Sequence, residues 1–483
     1  MVLYLCWGAL LGGAFFISTL FGSLLPNING AYSDQRMLGC FAFWLVACVI
    51  SARSLFAPSA QTRFAPLLCT LLFALVLLAG ELYSTEYRVE PTLFVLFFVG
   101  AALLGGVLAT ADRLGELLRG VLLVLVFACL FYGLLSIFNY AFALADGVVR
   151  LERIVTWGFP NIRYWSHVAT WLIPFLALAH YSNPLKRAPL IVPLAASAGA
   201  IWWWILFTTV SRGSLVGIMV GAMLVLVLFG RPALRLIRIL GIHAFFGGVL
   251  WCVLTIAVPY LMWGDVAPRD VHATTSGRIP LWIEAWHMSL VHFPFGMGPQ
   301  SWLTHEIITD IYRESRHFAH PHNMYLYWAA EYGWISVLAF MVMAVGALKM
   351  LMRCARDSTV PEADKVLLMG FGMSVAAACV HASVSAVFIA PASLLVGFMV
   401  VSGFWALVAA HSGAQVSAMP AQRSWLKSVV MAGVLVLFVG WGVFWLSEVW
   451  RYHEDHLEDR ATYKSPGSIG SPRFWSHGDF PRQ

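Results

Sequence analysis

The sequence predicts an all-α polytopic membrane protein of twelve or thirteen spanning helices with one large loop on its outer side. Three observations predict it. Of 483 residues, 60% are hydrophobic and only 11% are charged, and the mean hydropathy is +0.78, which is more apolar surface than a water-soluble chain can cover. Apolar segments of roughly 20 residues, the length that crosses a bilayer, recur from end to end. Basic residues are divided unevenly among the loops between them.

Thirteen candidate spans fall at about 2–25, 37–52, 64–80, 91–110, 120–145, 164–180, 189–209, 214–230, 240–262, 323–348, 366–389, 394–411 and 428–447. The second, third, eighth and twelfth are short, so twelve spans remain open. Residues 2–25 have no basic start and no small-residue cleavage site before Pro26, and read as a first span rather than a removed signal peptide. No self-similar period runs along the segments, which weighs against an inverted-repeat transporter. The expected division is a transmembrane domain over 1–447, including the loop 263–321, and a polar tail over 448–483 whose Ser, Pro and Gly content after Tyr463 suggests disorder.

Orientation follows from charge. With the N-terminus cytoplasmic, the inner loops carry fifteen Lys and Arg residues, whereas the short outer loops carry six: Arg36, Arg88, Arg150, Arg153, Arg163 and Arg212. Basic residues concentrate on the cytoplasmic side of membrane proteins, so the 263–321 loop faces outward. The formal net charge of +6 reports this orientation and gives no nucleic-acid footprint. All eight cysteines sit in or beside apolar segments, as buried small hydrophobes rather than a disulfide framework.

The outer arginines run against the trend. Arg163 follows Pro160-Asn161-Ile162 at the head of the sixth span, and Arg212 lies in the tight turn Ser211-Arg212-Gly213-Ser214. Arg278 follows Thr274-Thr275-Ser276-Gly277 and opens an amphipathic stretch with Ile279, Leu281, Trp282 and Trp286, which reads as a helix lying against the bilayer surface. A lone outer arginine is most often an anchor whose stem covers apolar surface, and Ser211 and Ser214 read equally as caps of the eighth span. Yet an arginine at a membrane boundary invites a counter-anion, and the planar guanidinium fork suits phosphate.

His317, His320 and His322 could suggest a metal site. Pro321 interrupts them, their spacing is not a helical pair, and no cysteine or carboxylate cluster joins them, so no metal is expected. His322 and Asn323 instead stand at the start of a helix running through Gly333 into the tenth span. Glu331, half a turn out of register with His322, faces away from it. A histidine here is either structural or, with its ordinary pKa near 6.5, a base at neutral pH.

The order of these elements resembles that of the O-antigen ligase and polymerase superfamily. His322-Asn323 followed by Gly333 resembles its signature, Ser211-Arg212-Gly213 its Ser-Arg-Gly turn, and Ser276-Gly277-Arg278 with Trp282 and Pro294-Phe295-Gly296-Met297-Gly298 the start of its large periplasmic loop. Pro160-Asn161-Ile162-Arg163 is a weaker match to an upstream arginine motif. Ser336 departs from the pattern, which has glycine, threonine or tyrosine there; a small side chain should do little harm.

The resemblance implies a GT-C-like glycosyltransferase of the bacterial inner membrane with its active site facing the periplasm. It implies transfer of a glycan from undecaprenyl diphosphate to an acceptor hydroxyl, without a cofactor. Arg163, Arg212 and Arg278 would hold the diphosphate, His322 would take or position the acceptor's proton, and Asn323 would help to position the acceptor. No carboxylate pair of the kind used in double displacement is evident, so the expected course is inversion. The acceptor favoured is lipid A–core, because the tail is too short for the soluble domain that many protein-directed members carry; an O-antigen or exopolysaccharide polymerase and a protein O-oligosaccharyltransferase are the alternatives. A lipid-linked oligosaccharide flippase would instead place ionisable groups deep in its spans, where His381 is one of few.

Overall fold

A computed structural model describes residues 89–411 apart from 149, 160, 183–189 and 265–276, with scattered positions between 429 and 450. The expected spans 2–25, 37–52 and 64–80, most of 428–447, and the tail beyond 450 lie outside the described residues. What is described is helical. In chain order the helices are α1 (Val89–Leu108), α2 (Leu114–Ala145), the single turn α3 (Leu151–Ile154), α4 (Ile162–Ser182), α5 (Ile191–Thr208) and α6 (Arg212–Phe229). Then come α7 (Arg231–Leu250), a π-helical turn (Trp251–Ala257) and α8 (Val258–Trp263), which continue one another. The long loop that follows holds α9 (Arg278–Val291) and the short turns α10 (Ser301–Thr304) and α11 (Asp310–Arg313), before α12 (Met324–Arg356), α13 (Glu362–Ala382) and α14 (Pro391–His411).

Among the described residues, seven of these stretches are long and apolar enough to cross a membrane: α2, α5, α6, Arg231–Trp263, α12, α13 and α14. The chain is therefore an all-α polytopic membrane protein. Apolar residues such as Phe138, Phe142, Val227, Phe245, Leu261 and Leu338 stay exposed on these helices, as expected of side chains that face lipid.

α4 sits differently. Every residue from Tyr164 to Ala179 is buried, so neighbours surround it: α5, α13, α14, α7 and α2 all pack on it. A helix enclosed on all sides can carry polar side chains only where they find one another, and α4 contributes Ser166, His167 and Thr170. On α6, Gly217 and Gly221 let α13 approach so closely that an added Cβ would lie 2.5 Å from a carbonyl oxygen of Ala377 or Met373. That contact holds the start of α6 beside α4 and α13.

The spans differ from expectation at two points. The eleventh, expected over 366–389, ends at Ala382, so His381 is in its last turn rather than in mid-span. α12 is not one continuous helix, since Gly333 breaks it with φ 83° and ψ 164°. Periodicity and hydropathy run on unchanged across both features, which is why neither shows in the sequence.

Candidate active site at the helix termini

Four segments meet at one end of the bundle. Arg163 lies in the first turn of α4, Arg212 and Arg278 are the first residues of α6 and α9, and His322 lies just before α12. Arg163 Nη1 donates a hydrogen bond to Nε2 of His322 at 3.0 Å, across 159 positions of sequence. Arg278 feels both other cations: burial, then the charges of Arg163 and Arg212, lower its pKa to about 10. It is still charged at neutral pH. Three cations gathered at a half-buried site raise its energy unless an anion joins them.

The imidazole is fixed by its own turn. His322 is buried and takes a left-handed backbone conformation, φ 56°. Its N–H donates to Nδ1 of His320 at 3.0 Å, the two rings lie 4.2 Å apart, and Phe318 meets His322 edge-on at 5.1 Å. Asn323 then caps α12: its Oδ1 accepts from the N–H groups of Tyr325 at 3.0 Å and Leu326 at 3.1 Å, two donors that a helix start otherwise leaves free. Asn323 thus spends its carbonyl oxygen on the backbone. Burial first, then His320, Arg163, Arg278 and His167, hold the pKa of His322 well below the ordinary histidine value, so the ring is neutral near pH 7. Nδ1 of His322, Nε of Arg278 and Nε1 of Trp282 are buried without a hydrogen-bond partner among the described residues.

Hydroxyls on α4 and α6 tie the arginines together. Ser214 Oγ donates to the carbonyl oxygen of Ser166 at 2.9 Å, and Ser166 Oγ donates to that of Arg163 at 2.7 Å. Ser211 and Ser214 therefore do not act as side-chain caps: Ser211 makes no cap hydrogen bond and pairs with Thr209 Oγ1 at 2.8 Å. Beneath them, Thr170 Oγ1 lies 2.9 Å from Ser214 Oγ and 2.8 Å from Nδ1 of His381, while Nε2 of His167 lies 2.7 Å from Ser385 Oγ. Gly213 is needed here because a Cβ would come within 2.6 Å of the His381 ring.

The loop that carries α9 docks on the break in α12. Met297 N–H donates to Ala330 O at 2.8 Å and Gly298 N–H to Glu331 O at 2.9 Å. The buried Glu331 carboxylate accepts from the N–H groups of Gln300 at 2.9 Å and Trp302 at 3.1 Å, which accounts for its facing away from His322. Ser336 Oγ donates to Gly333 O at 2.7 Å, so the serine that departs from the family pattern serves a carbonyl at the break. A second buried carboxylate, Glu284, positions α9. It accepts from His305 Nε2 at 2.9 Å, Ile308 N–H at 2.7 Å and Thr309 N–H at 2.9 Å, and also from Thr309 Oγ1. Burial alone would raise its pKa, but these hydrogen bonds outweigh it and hold the carboxyl below its usual range. α9 packs Leu281, Ala285 and Met288 against Trp302, Tyr312 and Ala330, leaving Ile279, Trp286 and Leu290 exposed.

Residues 197–341 match the family model described as O-Antigen ligase. Over this stretch the chain is similar to the O-antigen ligase family. The match runs from α5 into α12 and includes Arg212, Arg278, His322 and Gly333; Arg163 precedes it. No curated protein matches the chain. The family implies glycan transfer of the ligase and polymerase type, acting on a lipid-linked glycan and an acceptor.

Proposed function

We propose that this protein transfers a finished glycan from undecaprenyl diphosphate to a hydroxyl of lipid A–core, at the periplasmic face of the inner membrane, by an inverting and metal-independent displacement. The acceptor oxygen attacks the anomeric carbon, the bond from that carbon to the diphosphate oxygen breaks, and the electron pair leaves on the diphosphate. Charge therefore grows on the leaving group, and cations held in place before the reaction stabilise it most. The observation that carries this reading is the pairing of Arg163 with the buried, neutral His322, with the charge of Arg278 acting on that ring and those of Arg163 and Arg212 acting on Arg278. The arginines serve as the diphosphate cradle, and His322 meets the acceptor hydroxyl. Asn323, whose oxygen caps α12, acts on the acceptor by holding His322 in place.

The test uses the full chain in lipid nanodiscs with an undecaprenyl-diphosphate-linked glycan and lipid A–core. Glycosylated core lipid with an inverted anomeric centre, formed at an undiminished rate in excess chelator, is expected. Restoration by a divalent ion of activity lost to chelation would overturn the metal-independent step. In cells, deletion should leave bare core and accumulated lipid-linked polymer. Single repeats on core would point to a polymerase, and repeats trapped on the cytoplasmic side to a flippase.

A further inference from the structure

The hydrogen bond between Arg163 and His322 decides which way the imidazole works. A guanidinium carries donors only, so Nε2 of His322 must present its lone pair to Arg163 Nη1. In a neutral ring the proton is then on Nδ1, the nitrogen that is buried without a partner among the described residues. A second proton would have to enter at Nε2, where an arginine N–H already sits. It would also make a fourth cation among the three arginines. Among the described residues, the charged and titratable groups that act on the ring are Arg163 and His167 of α4, Arg278 of α9, and His320 of its own turn. None is a carboxylate able to stabilise an imidazolium.

We propose that His322 acts as a hydrogen-bond donor through Nδ1–H, with Arg163 as the positioning residue that sets this tautomer, and that the acceptor's proton leaves on the diphosphate. This inference rests on the proposed glycan transfer. The balance closes without a base in the protein. The new bond from the acceptor oxygen to the anomeric carbon forms, the old bond to the diphosphate oxygen breaks, and the diphosphate gains an electron pair and takes up the proton. The Nδ1–H of His322 and the Nε–H of Arg278 are buried donors without a hydrogen-bond partner among the described residues, and the oxygens of a bound substrate would satisfy them.

Replacement of the ring by amides separates a donor from a base. An asparagine places its side-chain N–H near the position of Nδ1 and tolerates the left-handed backbone of residue 322; a glutamine places its amide near Nε2. His322→Asn is expected to transfer glycan within about tenfold of the natural protein, whereas His322→Gln and His322→Ala should fall by about 10²–10³-fold, the loss typical of one transition-state donor. The rate of the natural protein should be flat from about pH 6 to 8, as for a ring that does not titrate near its free value of about 6.5. Arg163→Ala, which frees Nε2, should introduce an acidic limb into that profile. Undecaprenyl diphosphate binding, read as thermal stabilisation, is the control. If the natural protein neither binds this lipid nor transfers glycan, the functional reading fails. If it does both but His322→Asn is as slow as His322→Ala, or if its own profile shows an acidic limb, the donor role is overturned and His322 is a base.

Discussion

Replacing Gly333 with alanine should cut the loop that carries α9 loose from the membrane bundle. The backbone at φ 83° and ψ 164° is in a region essentially reserved for glycine, and a side chain there costs about 1–3 kcal/mol. The new Cβ would stand 2.3 Å from Pro294 O and 2.6 Å from Phe295 Cα, backbone atoms that cannot rotate aside. The loop must retreat, and the hydrogen bonds from Met297 to Ala330 and from Gly298 to Glu331 go with it at about 1 kcal/mol each. The sum is about 3–5 kcal/mol, which for a chain of 483 residues is a fall in melting temperature of about 3–5 °C. Thermal melts of the detergent-solubilised chain followed by size-exclusion chromatography would read it, with glycan transfer measured in parallel. Gly296→Ala presses on the same seam from the other side, with a Cβ 2.2 Å from the Glu331 carbonyl carbon, so the double variant should lose much less than the sum of the single losses. Melting and transfer unchanged in Gly333→Ala would show that the loop does not depend on this seam.

Other substitutions probe the groups around it. Ser214→Ala removes the link from α6 to the Ser166 carbonyl at about 1 kcal/mol, and should raise KM for the lipid-linked donor more than it lowers kcat; an unchanged KM would separate this hydroxyl from arginine spacing. Arg212→Lys should slow transfer at least about tenfold, because a single ammonium cannot reproduce the paired donors of a guanidinium, and a near-normal rate would mean that Arg212 only anchors the helix. Because folding lowers the pKa of Glu284, its contribution to stability is complete above the unfolded value of about 4.3 and is lost as pH falls through the folded one. Melting temperature should therefore hold from pH 7 to about 5 and drop below about 4, whereas Glu284→Gln should be less stable at pH 7 and lose less of its remaining stability on acidification; parallel acid curves for the two proteins would count against this carboxylate as the acid-labile latch.

Fold class was readable in the sequence because hydropathy and charge bias are summed over many residues and survive local irregularity. Arg212, Arg278 and His322 stood out through short motifs in a fixed order. Arg163, carried by the weakest of those motifs, is the residue that touches His322, and no local pattern could pair positions so far apart. The hydroxyl of Ser214 was legible only as a possible cap, and those of Ser166 and Thr170 carried no signal, since the bonds that link them run between helices. Glu331 could be read as facing away from the histidine, but its partners Gln300 and Trp302 lie in a loop whose path depends on Gly333. The break at Gly333 was hidden for the opposite reason: glycine is common within membrane helices, and only the approach of Gly296 shows why this one bends the chain.

The π turn at Trp251–Ala257 has a consequence for natural variation. One extra residue is accommodated there without unravelling the span, and the Tyr140 hydroxyl donates to the Leu254 carbonyl within it. Deleting a single residue from this turn would restore ordinary winding and leave Val258–Trp263 close to its present register with the helix before it, because the wider turn is what absorbs the extra residue. A one-codon deletion, usually damaging inside a packed helix, should therefore be tolerated here.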